Sequence, residues 1–342
     1  MNPQETISAP VDFGRTPIAE PFMSAAVAIA TANHSLFVAD RAQLAQAVER
    51  VRGLELASVV PELESRDDAP ALLFHMAEML GHAHLPSAWQ GLCGVPARVA
   101  EFPSSVEIAA TPDDSARRWG AWLPVIDLAS PPSVALCGPN GLLLIGPSDK
   151  EGGVAGLTCS RTSGLLGFPL GEVLTWTLKP GLTGGDLGMQ SLTPGAWGVY
   201  VRAQLALLSG LLTGTTRRLV DEAYAYAKTR QAAGKPINQH QAVALRLADL
   251  ALNHEALSLY LTASVERCSP PGMKGGIEEI SVSYIGELSF RIARDAVQTA
   301  AGHGYVEGLP FRRLFEQVRT LTVMIGATKA GAAVSPTTSC VS

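Results

Sequence analysis

The side chains that could carry nucleophilic, redox or metal chemistry are thinly spread along this sequence. Five cysteines, Cys93, Cys137, Cys159, Cys268 and Cys340, are odd in number and form no Cys-x-x-Cys pair. They read as reduced thiols, neither a disulfide framework nor a zinc site. His82 and His84 stand two apart, whereas ligands on one helix face need a spacing of four, so no metal site is expected. No Gly-x-Ser-x-Gly elbow and no Cys/His pairing argue for hydrolysis. Glu222 and Glu255 read as solvated or bundle-edge charges, and His303 as an exposed turn residue. Arg230 taken alone is a helix-end cation that complements the dipole.

The elements that hold these residues fall into three blocks. With 342 residues, 47% hydrophobic and 17% charged, the chain can bury a large core. From Phe22 to Leu92 it is rich in Ala and Leu, with apolar faces in Arg41 to Val51 and Ala69 to Leu80 that predict packed helices. Between Pro96 and Leu192 short apolar runs, such as Ser133 to Cys137, Leu142 to Ile145 and Val173 to Leu178, alternate with Gly, Pro, Asn and Asp. That pattern predicts a β-region, with Asn140-Gly141 as a hairpin turn rather than a phosphate loop. Beyond Trp197 four long helical stretches follow: Trp197 to Thr229, Gln239 to Arg267, Ile277 to Ala301 and Phe311 to Ala330. Apolar residues cover most of their faces, which requires a four-helix bundle that also uses a partner's surface.

Charge and hydropathy remove other classes. A net charge of -5 leaves no cation excess for phosphate backbones, so no nucleic-acid partner is expected. The charge-free segments Pro21 to Ala39 and Leu128 to Ser148 are interrupted by Asn, His, Pro and Gly, so no membrane insertion is expected either. The polar N-terminus does not look like an export signal, and with the reduced thiols it gives an expectation of a cytoplasmic protein.

Two segments carry a family resemblance. Tyr226-Ala-Lys-Thr-Arg230-Gln-Ala-Ala-Gly234-Lys-Pro-Ile237, followed by Gln241-Ala-Val and Leu247-Ala-Asp249, resembles the long-helix junction of the acyl-CoA dehydrogenase family. Gln298-Thr-Ala-Ala-Gly302-His-Gly304-Tyr305, then Pro310 and an Arg-rich helix, resembles that family's Gln-x-x-Gly-Gly-x-Gly-Tyr stretch. Gly164-Leu-Leu-Gly167 and Ala77-Glu-Met-Leu-Gly81-His-Ala-His-Leu-Pro86 match less specifically. The implied fold is mainly α: a shortened N-terminal helical domain (1–95), a central β-domain (96–192), a C-terminal four-helix bundle (193–330) and a flexible tail (331–342).

The resemblance also implies a flavoprotein whose FAD crosses a subunit interface, held at its pyrophosphate and adenosine end by Arg230, Gln241 and Gln298, with Gly302 giving access to the backbone. The residue types agree with those roles: a fixed guanidinium fork, two neutral amides and a residue with no side chain. The family reaction, α,β-desaturation of an acyl-CoA, needs a carboxylate to take the α-proton while hydride passes to the flavin. Counting along the two segments, the family's base positions are occupied by Ile325 and Gln204, so no catalytic residue is assigned. The acyl-CoA-side Arg is replaced by Leu205, the family's Arg-Asp pair falls on Glu316-Gln317, and the Trp that walls the flavin is not recognisable near Leu123 to Ala129.

The resemblance therefore implies a divergent subunit that completes a partner's FAD site. The expected partner is a paralogous, base-bearing subunit in a hetero-oligomer, a dimer of dimers, acting on a CoA-linked acyl chain of lipid or steroid type. The alternatives are a non-catalytic scaffold on the same fold, or a repurposed member acting on a carrier-tethered acyl group.

Overall fold

The computed structural model describes residues 19–33, 41–55, 69–102, 108–112, 117–123, 134–138, 141–145, 156–182, 184–187, 192, 195–266, 276–306 and 308–333. Helices α1 (Ala19–Asn33), α2 (Arg41–Arg52), α3 (Ala69–Leu92) and the short α4 (Val95–Val99) come first. Six strands follow: β1 (Ile108–Pro112), β2 (Arg118–Leu123), β3 (Val134–Gly138), β4 (Gly141–Ile145), β5 (Leu157–Leu165) and β6 (Phe168–Leu178). Four long helices close the chain: α5 (Ala196–Thr229), α6 (Gln241–Glu266), α7 (Val282–Ala300) and α8 (Phe311–Ala332). Helices, sheet and four-helix bundle thus occur in the expected order.

The sheet runs β4-β3-β1-β2-β6-β5, antiparallel except where β1 lies parallel to β3. Strands β3 and β4 pair with Gly138 opposite Gly141, which puts the hairpin where Asn140-Gly141 predicts it. Pro112 at the end of β1, packed on Gly331 of α8, is one link from the sheet to the bundle, and the β5–β6 hairpin is another. Its tip rests on α8, where Thr320 Oγ1 donates to the Leu166 carbonyl at 2.7 Å and Gln317 Nε2 donates to the Gly167 carbonyl at 3.1 Å. A Cβ on Gly167 would lie 2.7 Å from the Gln317 backbone nitrogen, and its φ is +78°, so only glycine meets both demands.

The deepest seam of the molecule is α3 against α5. Gly210 and Gly214, one turn apart on α5, let the helices approach to backbone contact: a Cβ would lie 2.2 Å from the Phe74 carbonyl oxygen at Gly210, and 2.0 Å from that of Glu78 at Gly214. Neighbouring Thr213 and Thr215 are fully buried and turn their hydroxyls back onto the carbonyls of Ser209 and Leu211, whereas the buried Ser209 hydroxyl has no hydrogen-bond partner among the described residues.

Helix α3 is broken in its middle. His84 is extended (φ -159°, ψ 97°) two residues before Pro86, whose missing N–H and ring forbid an unbroken helix. His84 then caps the second half: the Ser87 backbone N–H donates to His84 Nδ1 at 3.4 Å, and Ser87 Oγ donates to the His84 carbonyl at 3.1 Å.

Candidate functional site

The junction after α5 is a small locked turn. The Arg230 N–H closes on the Tyr226 carbonyl at 2.9 Å, and the Ile237 N–H returns to the Arg230 carbonyl at 2.8 Å. Between them a two-stranded ribbon, Gln231–Ala232 against Lys235–Pro236, turns through Ala233 and Gly234, both at positive φ. The backbone of Arg230 is therefore fixed while its side chain is exposed. Gln241, exposed, opens α6 just beyond this turn.

The second segment ends α7 at the same end of the bundle. Tyr226, one turn before Arg230, holds His303 by a hydrogen bond of 2.8 Å from its hydroxyl to Nδ1, and its ring stands edge-on to Phe311 at 5.9 Å. These contacts bring the end of α5, the turn after α7 and the start of α8 together. Gln298 and Gly302 are both exposed there, and a Cβ on Gly302 would meet nothing within 4 Å. Gly304 differs: a Cβ would lie 2.5 Å from the Val297 carbonyl oxygen, so it is a packing glycine.

Arg230, Gln241, Gln298 and Gly302 thus share one open end of the bundle. Among the described residues, the side chains of Arg230, Gln241 and Gln298 make no hydrogen bond or ion pair. One permanent cation, two amides and an uncovered backbone suit the phosphates and adenosine of an extended dinucleotide. That donor set fits the chemistry of FAD at its adenosine end.

The positions counted as catalytic lie elsewhere and are of different character. Ile325, on α8, is fully buried in the apolar core, as is Leu205 on α5. Gln204 is half-buried. Glu316 pairs with Arg312 at 3.1 Å, and Gln317 is engaged with the β-hairpin tip. Most of the 123–129 stretch compared with the flavin-wall Trp lies outside the described residues. No cluster of three or more potential metal ligands occurs among the described residues.

Sequence reasoning missed a polar network around the α3 break. His82 Nε2 lies 2.8 Å from Asp221 Oδ2, across 139 residues of sequence. Burial lowers the His82 pKa, and the bond to Asp221 only partly opposes that shift. His84 is pushed down to about 4 by burial, with Arg313 and Arg218 adding to the shift. Arg218 forms a short pair with Glu222 at 2.7 Å, and His254 Nδ1 meets the Thr216 hydroxyl at 3.2 Å. No local spacing announces His82–Asp221 or Thr216–His254, because each joins two helices, whereas Arg218–Glu222 is an i,i+4 pair within α5.

Comparison with known proteins shows what this chain is similar to. The sequence profile of the acyl-CoA dehydrogenase C-terminal domain matches residues 204–330. A 3-(aryl)acrylate reductase of Clostridium sporogenes is 27% identical over 203 residues, which are 56% of this chain and 51% of the reductase. The chain thus spans about half the length of that relative. Butyryl-CoA dehydrogenase from Megasphaera elsdenii superposes with a TM-score of 0.61 at 13% identity, covering 95% of this chain and 98% of that one. The ChsE4-ChsE5 complex from Mycobacterium tuberculosis superposes with a TM-score of 0.61 at 17% identity, covering 94% and 97%.

Proposed function

We propose that this member of the acyl-CoA dehydrogenase family is one subunit of a hetero-oligomer, in which a paralogous base-bearing subunit desaturates a CoA-linked acyl chain. This chain completes the FAD site of that enzyme and supplies no base of its own. The observation that carries the reading is a contrast. Arg230, Gln241, Gln298 and Gly302 stand exposed at one end of the bundle with no side-chain partner among the described residues, while Ile325 and Leu205 are sealed in the core.

FAD, when bound, supplies the hydride acceptor. The work of this chain's residues is positional: Arg230 neutralises pyrophosphate charge through its planar fork, and Gln241 and Gln298 hydrogen-bond neutral atoms of the adenosine half. Gly302 lets the group approach the main chain. None of them moves a proton at the substrate.

The outer face of α6 supports assembly. Leu245, Leu252 and Leu259 recur every seven residues and remain 59%, 68% and 61% exposed, so they form one apolar stripe along the exposed face of α6. Covering each is worth roughly 1 to 2 kcal/mol. The ChsE4-ChsE5 complex, in which a chain shares this fold, is in keeping with a mixed assembly.

The test is co-expression with a paralogue that has a glutamate at the position of Ile325. The mixed complex is expected to reduce an artificial electron acceptor in an acyl-CoA-dependent way, and this chain alone is expected not to. Turnover by this chain alone overturns the proposal. A stable complex without flavin would instead favour the scaffolding alternative.

A further inference from the structure

The apolar row on the outer side of α6 has charged edges, and they decide what can cover it. Leu245, Leu252 and Leu259 span about 21 Å of the helix, and the exposed Ala244 and Ala248 widen the row on one side. Asp249 stands three residues before Leu252 and Glu255 three residues after it. The two carboxylates therefore sit on opposite flanks of the row, each about 60° from Leu252 around the helix. Both are exposed, and neither makes a hydrogen bond or ion pair among the described residues. Arg246, the only Lys or Arg in α6, is half-buried and lies about 120° from Leu252. On the neighbouring helix α7, which meets α6 where Tyr260 stands edge-on to Tyr284 at 4.9 Å, the exposed cations are engaged: Arg291 with Glu287 and Arg294 with Asp295.

A second copy of this chain fits such a face badly. Pairing of two identical rows brings two Asp249 and two Glu255 to the edges of one seam, with no Lys or Arg of either α6 beside them. Like charges placed together at the rim of a seam oppose association. A helix that carries a similar apolar row between Lys or Arg residues covers the leucines and pairs both carboxylates, as edge charges do when they select partners in helix pairs.

We propose that the outer face of α6 docks a helix of the partner subunit whose apolar row is flanked by Lys or Arg, and that Asp249 and Glu255 keep this face from closing on a second copy. The inference rests on the mixed-assembly reading and adds to it the surface used and the charge of the partner. It makes no use of the residues assigned to the flavin.

The experiment uses the full chain throughout. The probe is the same chain with Asp249→Lys and Glu255→Lys, which keeps the leucines and supplies the basic edges expected of the partner. Parent and probe, one of them immobilised, are expected to bind at least tenfold more tightly than parent and parent, and less tightly as salt is raised. Leu252→Gln in the parent should weaken that binding at least tenfold. In the complex with the co-expressed paralogue, the double Lys variant of this chain is expected to lose at least tenfold in affinity. Circular dichroism checks that each variant is folded. If the double Lys variant does not fold, Asp249→Asn with Glu255→Gln carries the test, and its self-association should exceed the parent's. Parent binding parent as tightly as probe, binding indifferent to Leu252→Gln, or a paralogue complex indifferent to the charge reversal overturns the proposal. So does a neutral variant that self-associates no more than the parent. Each of these results leaves the flavin reading standing, since that reading fails only if FAD in the complex is indifferent to this chain's Arg230 end.

Discussion

Ile325→Glu would place a carboxyl group where the family resemblance counts a catalytic base, and the structure predicts that it fails as one. The isoleucine is fully buried within the core of the bundle. Losing its apolar burial costs about 2 to 3 kcal/mol, and burying a carboxyl group without a partner adds roughly 1 to 3 kcal/mol. Desolvation would raise the new group's pKa by as much as 3 to 5 units from about 4.3, leaving it largely protonated at pH 7. The sign of the linkage follows. A carboxyl group whose folded pKa lies above its unfolded value destabilises the fold as pH rises through that interval, by about 1.36 kcal/mol per unit. Thermal melts of the variant, referenced to the parent at each pH, are therefore expected to be closest to it near pH 5 and to fall away toward pH 8. Acyl-CoA-dependent reduction of an artificial acceptor by the variant alone, with excess FAD, should remain at background. Turnover, or a destabilisation independent of pH, would mean that position 325 faces a wet, substrate-sized cleft and that the burial argument is wrong.

Three other outcomes can be checked directly. Arg230→Ala or Gln298→Ala should weaken flavin retention in the mixed complex by about 0.5 to 3 kcal/mol, read by the FAD left after gel filtration, with unchanged retention in both returning these residues to ordinary solvated surface. Gly214→Ala forces a Cβ to within 2.0 Å of the Glu78 carbonyl oxygen, so α3 and α5 must separate, with an expected loss of about 1 to 3 kcal/mol in chemical denaturation; a neutral effect would contradict the close seam. Burial lowers the His254 pKa to about 4, so the unfolded chain takes up that proton first, and stability should fall by up to about 3 kcal/mol as pH drops from 6.5 to 4. In His254→Gln that slope should be shallower, and an identical slope would assign the acid sensitivity to other groups.

The order of the elements was legible because each block has its own local signature. The long runs around Leu205 to Leu212 and Leu245 to Leu252 have helical length and apolar faces, while the β-region is punctuated by Gly, Pro and Asn-Gly. The Arg230 junction was legible through its resemblance to the family's long-helix junction, and the fold shows it as a tight turn with Ala233 and Gly234 at positive φ. What escaped were relations between distant elements. His82 and Asp221 are 139 residues apart, and the missing side chain of Gly214 has its reason only in the approach of α3. Pro86 stands in plain view, yet the break falls at His84, where a capping contact from Ser87 sets the backbone. Gln317 marks a lost family residue in sequence and a tether for the β-hairpin in the fold.

The central claim is that this chain carries only part of a flavin site. The most direct measurement is flavin per polypeptide, from the absorption spectrum and protein content of this chain purified alone and of the same chain purified with its paralogous partner. The account predicts little or no FAD on the chain alone, and in the complex FAD whose amount drops with Arg230→Ala. A homodimer or homotetramer of this chain holding one tight FAD per polypeptide would contradict it.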